Sequence, residues 1–182
     1  ILPRRPGVAE AAAGGHATIG LRCPAHPVAH ALLAAAAARG VRGLAAPSAN
    51  RFGRISPTTA QHVAQEFGDE LLVLDGGACS VGIESTIVDC TRGAPVLLRP
   101  GQIARADIER VAGQRLLSKD ELSTPDPQAP GTLLAHYAPR ARLRLMNDKE
   151  LRAALELLGA DAKNIAVWAR APLRSASRAL VL

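Results

Sequence analysis

The order of apolar and polar positions predicts short strands and helices separated by glycine and proline. The predicted strands are short runs rich in Val, Ile and Leu, over residues 17–23, 41–46, 71–74, 85–90, 95–99, 143–146 and 165–168. The predicted helices start near a proline or continue a helical period, over residues 27–39, 58–67, 105–112 and 148–158. Strands and helices alternate without a strict order, which predicts an α+β fold with a mixed sheet.

A proline-rich segment, residues 123–131, divides the chain and is typical of an extended linker. We therefore expect a first domain over residues 1–116, a linker over residues 117–141 and the start of a second domain over residues 142–182. The last region holds one predicted βαβ unit, which is too small to be stable alone. The opening Ile1-Leu2-Pro3 has the pattern of a strand end. We expect the chain to be truncated at both ends.

Composition narrows the class of protein. Hydrophobic residues make up 48% of the chain and aromatic residues 2%, so the core is expected to consist of small aliphatic side chains. No run of about eighteen apolar residues occurs, and no membrane segment is expected. Three cysteines without a CxxC pair favour reduced thiols and a cytoplasmic location. The formal charge of +6 is carried by dispersed arginines, which favours a solvated basic surface over a nucleic-acid patch.

The segment from Ala45 to Thr58 carries the densest group of hydrogen-bonding side chains between a predicted strand and a predicted helix. Ser48 and Asn50 are two residues apart, so in an extended segment they point the same way, unless they serve only to form a turn. Ser56 either caps the following helix or contacts a ligand. Helix N-termini attract anions, so the segment predicts a site for an oxygen-rich anion such as phosphate.

Three further groups of polar residues are candidates for the same site. Ser85 and Thr86 begin a predicted strand, where one hydroxyl could face a pocket and the other point away. Arg99 ends another strand and could bind phosphate. Thr18 and Arg22 are four residues apart, so they would share a face if residues 17–23 form one strand.

Two other kinds of site receive little support from the sequence. Residues 78–82 (ACSVG) approach the nucleophile elbow of hydrolases, but alanine replaces the first glycine and a strand rather than a helix follows. The five histidines show no metal-ligand grouping beyond the spacing of His26 and His30. We assign no metal ligand to the protein.

Four motifs in sequence order resemble the Sua5/YrdC family of L-threonylcarbamoyladenylate synthases. They are PSANRFGRISPTTAQHV (residues 47–63), LDGGACSVGIESTIVD (74–89), LLRPGQI (97–103) and APGTLLAHYAP (129–139). The resemblance covers residues 1–140, and the βαβ unit beyond is similar to the start of the small C-terminal Sua5 domain. It implies part of a YrdC-like twisted mixed sheet with flanking helices, followed by the start of a small α/β Rossmann-like domain.

The resemblance also implies substrates and site residues. Members of the family join L-threonine, bicarbonate and ATP, usually with Mg²⁺ on the phosphates, into threonylcarbamoyl-AMP and pyrophosphate. The product then passes to the machinery that modifies adenosine 37 of tRNA. Residues matched to L-threonine binding are Arg22, Ala46 and Ser85. Residues matched to ATP binding are Thr18, Ser48, Asn50, Ser56, Arg99 and Tyr137, the last in the linker that folds over the active site.

One part of the family pattern is missing, and two other functions stay open. The family's Lys-x-Arg segment and its threonine-binding strand lie upstream of the motifs present here, so we expect the 182-residue chain to be inactive by itself. An RNA-binding YrdC-like module without synthase activity is the main alternative, and it predicts weak, salt-dependent RNA binding. A YrdC module of a hydrogenase maturation factor is the other, which the linker and second domain disfavour.

Overall fold

The computed structural model describes residues 1–123, 139, 141–170, 172–173 and 179–181. The chain divides into two compact units, Ile1–Ala138 and Pro139–Leu182. Most of the predicted linker, including Tyr137, lies outside the described residues. In the described part of the chain, no helix combines the length and apolar character needed to cross a membrane.

The first unit is organised around a three-stranded mixed sheet. Strands β3 (Ile87–Arg92) and β4 (Ala94–Arg99) form an antiparallel hairpin, and β5 (Leu117–Ser118) pairs parallel to β4. Helix α3 (Arg105–Ala112) connects β4 to β5, which completes a βαβ crossover. A separate two-stranded ladder joins β1 (Leu2–Pro3) to β2 (Thr18–Ile19). Mixed pairing and interspersed helices confirm the α+β prediction.

Two features of the sequence stabilise the hairpin: a glycine in the turn and a hydrogen-bonded aspartate in β3. Gly93 has a φ of +80° between the two strands, a conformation that glycine adopts at little cost. The Asp89 carboxylate is buried and accepts hydrogen bonds from the Thr91 backbone N–H (2.9 Å), the Thr91 hydroxyl (2.7 Å) and the Arg92 Nε (2.9 Å). Burial raises the pKa of Asp89, but these hydrogen bonds and the charge of Arg92 outweigh it and leave the pKa below its usual value.

The apolar core of this unit lies beneath β4. Val96 and Leu98 are buried, and Ile1, Ile87, Leu117 and Leu122 pack against them. Leu116 is also fully buried. The packed strands β3 and β4 therefore support the residues at their ends, including Arg99 at the end of β4.

Helices α1 (Pro27–Ala37) and α2 (Ala60–Phe67) contain no buried residue. Helix α1 begins at Pro27 as the sequence predicts, whereas α2 begins at Ala60 rather than at the predicted Thr58. Pro27 occupies the first turn of α1, where its missing N–H is not needed. Thr59 is the N-cap of α2 and accepts a hydrogen bond from the His62 backbone N–H.

Several predicted strands are wrong or shorter than expected. Residues 41–46, 71–74 and 143–146 form no strand, and the strand predicted over residues 17–23 is limited to Thr18–Ile19. Apolar runs of this kind show that a segment suits a sheet, but a strand also requires a neighbour with which to form hydrogen bonds. Residues 41–46, 71–74 and 143–146 have no such ladder partner among the described residues.

The second unit contains α4 (Asp148–Leu158), β6 (Ala166–Val167) and β7 (Leu180–Val181). Asn147 and Glu150 form a reciprocal capping box at the start of α4. Strands β6 and β7 pair in parallel. Leu155, Ala162 and Val167 form the buried core of this unit.

Candidate active site

The loop after residue 47 is folded by the side chain of Asn50. Its Nδ2 donates to the carbonyls of Arg51 (3.0 Å) and Arg54 (3.1 Å). The guanidinium groups of Arg51 and Arg54 both lie against Glu66 of α2, at 3.6 Å and 3.3 Å from its carboxylate oxygens. The turn-forming role considered for Asn50 is therefore present, and the loop is held against the helix that follows it.

Ser56 faces out of this loop toward a second segment of the chain. Its hydroxyl lies 2.5 Å from Oε1 of Glu84 and 3.3 Å from Oδ1 of Asn50. A hydroxyl has one hydrogen to donate, so the shorter contact with Glu84 is the principal bond. Because Thr59 caps α2, the prediction that Ser56 might serve only as the helix cap is wrong.

Arg99 joins the end of β4 to the segment that precedes β3. Its Nε donates to the Ser85 carbonyl (2.9 Å), and its Nη2 donates to the Ser85 hydroxyl (3.2 Å). The same Nη2 lies 3.9 Å from Oε2 of Glu84. The Arg99 side chain is only 11% exposed, so these contacts fix the guanidinium within the protein surface rather than leaving it in solvent.

Gly101 allows the chain after Arg99 to approach the Glu84–Thr86 segment closely. A Cβ at this position would lie 2.7 Å from the Glu84 carbonyl oxygen and equally close to the Thr86 hydroxyl. Real Cβ atoms do not approach backbone atoms so closely, so a larger residue would push the two segments apart. Glycine at this position thus sets the distance between Arg99 and the residues it contacts.

The result is a continuous polar chain from Asn50 through Ser56, Glu84 and Arg99 to Ser85. It brings together four of the predicted site residues from three of the four motifs. Its hydroxyl, amide and guanidinium groups can hold an oxyanion and stabilise negative charge. Residues 71–86, which include the elbow-like segment, form no helix, so the strand-turn-helix context of a nucleophile elbow is not present there.

Four other predicted site residues lie outside this polar chain. Among the described residues, the side chains of Thr18, Arg22 and Ser48 make no hydrogen bond or ion pair, and Ala46 has no polar side-chain atom. Strand β2 ends at Ile19, so the prediction that one strand places Thr18 and Arg22 on a shared face is wrong. Tyr137 is outside the described residues.

Sequence reasoning missed two residues that organise the site, Glu84 and Gly101. Glu84 lies within a quoted motif, but a carboxylate was not expected in a site assigned to an anion. An acidic residue directly before Ser85, inside a segment otherwise rich in donors, was the available signal. Gly101 lies within the LLRPGQI motif, directly after Arg99-Pro100.

Comparison with known proteins identifies two family domains in this chain. The Sua5_yciO_yrdC family, described as "Telomere recombination", matches residues 1–101. The Sua5_C family, described as "Threonylcarbamoyl-AMP synthase, C-terminal domain", matches residues 103–181.

Curated relatives named threonylcarbamoyl-AMP synthase come from an archaeon and a bacterium. The protein of Pyrococcus abyssi (strain GE5 / Orsay) is 38% identical over 164 residues, which cover 87% of this chain and 47% of the relative. The protein of Bacillus subtilis (strain 168) is 38% identical over 148 residues, covering 80% of this chain and 42% of the relative. The chain thus spans about half the length of the curated relatives it matches.

A solved structure is similar over the whole chain. The crystal structure of P. abyssi Sua5 complexed with L-threonine matches with a TM-score of 0.76 at 34% identity, covering 100% of this chain and 54% of that one. The family match extends over more than half of the residues and includes the polar chain around Ser56 and Arg99. The chain therefore belongs to the Sua5/YciO/YrdC family.

Proposed function

We propose that the gene product containing this chain is a threonylcarbamoyl-AMP synthase. Family membership and the names of the curated relatives support this reaction. The observation that carries the proposal is the polar chain in which Ser56, Glu84, Arg99 and Ser85 join separate motifs through hydrogen bonds and an ion pair. Such an arrangement suits a reaction between a polyphosphate and an amino acid.

The chemistry requires positioning and charge stabilisation rather than a covalent nucleophile. The amine of L-threonine attacks the carbon of bicarbonate, and loss of water gives a carbamate. A carbamate oxygen then attacks the α-phosphorus of ATP and displaces pyrophosphate. Negative charge accumulates on phosphate oxygens during the second step, where guanidinium and hydroxyl donors lower the barrier most.

Each site residue receives a role within this proposal. We assign the guanidinium of Arg99 and the hydroxyl of Ser56 to contacts with ATP, together with Asn50, whose side chain also bonds within the loop that carries Ser56. We assign Ser85, whose hydroxyl accepts a hydrogen bond from Arg99, to contact with L-threonine. The remaining proposed contacts are Thr18, Ser48 and Tyr137 for ATP, and Arg22 and Ala46 for L-threonine.

Mg²⁺ enters the proposal only as the partner of the ATP phosphates. Within the described ranges, no group of three or more His, Cys, Asp and Glu side chains is arranged to hold a metal ion. The donors of the site are mainly hydroxyl, amide and guanidinium groups, which bind phosphate oxygens rather than Mg²⁺. We assign no protein ligand to the metal and derive no step through it.

The domain boundaries proposed are residues 1–116 for the catalytic part, 117–141 for the covering linker and 142–182 for the start of the Sua5 domain. The parallel pairing of β6 with β7 and the capped helix α4 support a Rossmann-like arrangement of the last part. We further propose that the product passes to the tRNA threonylcarbamoyl transferase machinery in the cytoplasm.

Pyrophosphate release by the full gene product tests the reaction. We expect release that depends on both L-threonine and bicarbonate, and a loss of at least tenfold in the Ser48→Ala variant. Pyrophosphate release without threonine, or none at all, would contradict the proposal. RNA binding that weakens with salt and needs no ATP, in a protein without this activity, would support the RNA-binding module instead.

A further inference from the structure

Glu84 uses its two carboxylate oxygens on different partners. Oε1 lies 2.5 Å from the Ser56 hydroxyl, which comes from the loop before α2. Oε2 lies 3.9 Å from Nη2 of Arg99 at the end of β4. No other carboxylate among the described residues contacts both of these motifs.

These contacts restrict both partners. A hydroxyl that donates to a carboxylate has a fixed hydrogen, so the lone pairs of Ser56 face away from Glu84. The Arg99 guanidinium is held by Glu84 on one side and by the Ser85 carbonyl and hydroxyl on the other. Groups held in this way lose little conformational freedom when a ligand binds.

The backbone around Glu84 is itself held in place. Gly101 lies so close to the Glu84 carbonyl that a Cβ would be only 2.7 Å from it. The Glu84 side chain is 29% exposed, so it is partly shielded from solvent and its interactions are less screened than those of a surface carboxylate. A carboxylate in a site for an anion weakens anion binding through like-charge repulsion.

We propose that Glu84 is a positioning residue that aligns Ser56 with Arg99 and so couples the two motifs. This inference rests on the proposed function of the site. Glu84 acts through its two partners, and its contribution depends on their presence. The benefit of alignment exceeds the electrostatic cost of a carboxylate near phosphate.

The test uses variants of the full gene product. We expect Glu84→Ala to lower kcat/KM for ATP about tenfold or more, which corresponds to at least about 1.4 kcal/mol. Glu84→Gln should fall between Ala and wild type, because its amide oxygen still accepts from Ser56 but carries no charge toward Arg99. If Glu84→Ala does not fold, the isosteric Gln variant decides the outcome.

A double-mutant cycle separates positioning from a general structural role. In a Ser56→Ala background, Glu84→Ala should change kcat/KM less than about threefold, since the proposed alignment needs both partners and the Ser56 hydroxyl has been removed. The matched control is Glu109→Gln, whose carboxylate accepts from Arg105 (3.0 Å) and from the Leu116 N–H (2.9 Å) outside the site. Its activity should stay within twofold of wild type.

Calorimetry of ATP binding separates failure of this inference from failure of the proposed function. A wild-type protein that binds ATP but releases no threonine-dependent pyrophosphate contradicts the proposed reaction; a raised Kd in Glu84→Ala would then still support the positioning role. If both kcat/KM and the ATP Kd of Glu84→Ala match wild type, Glu84 has no positioning role. Full additivity of the Ser56 and Glu84 variants would contradict it equally.

Discussion

Two parts of the first unit differ in how they are packed. The sheet part, residues 87–118, contains the buried side chains of Asp89, Val96, Leu98 and Leu116. The helix part, residues 27–74, contains helices α1 and α2, and neither has a buried residue. The sheet part therefore contains buried side chains, whereas the two helices of the helix part contain none.

The candidate site bridges these two parts. Arg99 belongs to the packed sheet and Glu84 lies just before it, whereas Asn50 and Ser56 belong to the exposed loop before α2. The connection between them consists of hydrogen bonds and an ion pair rather than apolar packing. We infer that polar contacts fix the geometry of the site where hydrophobic burial does not.

The largest expected effect is a loss of activity when Arg99, at the end of β4 in the sheet part, is replaced. Arg99→Ala removes the group that contacts both Ser85 and Glu84, and hydrogen bonds to charged groups contribute about 1.5–3 kcal/mol. In the full gene product, we expect threonine-dependent pyrophosphate release to fall about ten- to hundredfold. Arg110→Ala is the control, since this exposed arginine pairs with Asp107 within α3, and it should keep activity within twofold.

The packing difference itself predicts a contrast in stability. Leu98→Ala should reduce the free energy of opening of the hairpin by about 2–5 kcal/mol, because Leu98 is 2% exposed. Leu32→Ala on α1 should change it by less than about 0.5 kcal/mol, because Leu32 is 43% exposed. Native-state hydrogen exchange of the 182-residue chain, read at the β3–β4 amides, measures both. If Leu98→Ala and Leu32→Ala lowered the free energy of opening equally, the difference in burial between the two parts would not affect stability.

A pH-dependent effect is expected at Asp89. Its pKa lies below the usual value, so the ionised carboxylate stabilises the fold at neutral pH, and this contribution is lost as pH falls through the lowered pKa. Asp89→Asn should cost about 1–3 kcal/mol at pH 7 and should weaken the acid sensitivity below about pH 4. Thermal unfolding at pH 7 and pH 3 checks this, and an unchanged loss of stability on acidification in the variant would contradict it.

The smallest expected effect concerns the stability of α2 and distinguishes the hydroxyls of Thr59 and Ser56. Thr59→Ala should destabilise α2 by about 1 kcal/mol, because Thr59 accepts the His62 N–H at the helix N-cap. Ser56→Ala should leave α2 unaffected while lowering activity, because Ser56 bonds to Glu84 instead. Hydrogen exchange at the α2 amides, beside the pyrophosphate assay, separates the two. The reverse pattern would assign the cap to Ser56.

Local sequence signals predicted helices better than strands. The prediction for α3 agrees with the observed bounds Arg105–Ala112, and that for α4 with Asp148–Leu158, since helix hydrogen bonds form within one segment. The apolar run over residues 41–46 forms no strand, because pairing depends on a neighbour that the run itself does not specify. The roles predicted for Thr18, Arg22, Ala46, Ser48 and Tyr137 stay predictions.

By itself, the sequence determined the family, through motifs whose order and composition are specific, and the approximate positions of the helices, through periodicity. Only the tertiary structure decided that Ser56 donates to Glu84 rather than capping α2, and that Arg99 reaches both Glu84 and Ser85. The physical reason is distance along the chain. A motif records which groups are present, but contacts between residues 28 positions apart depend on how the intervening segments fold.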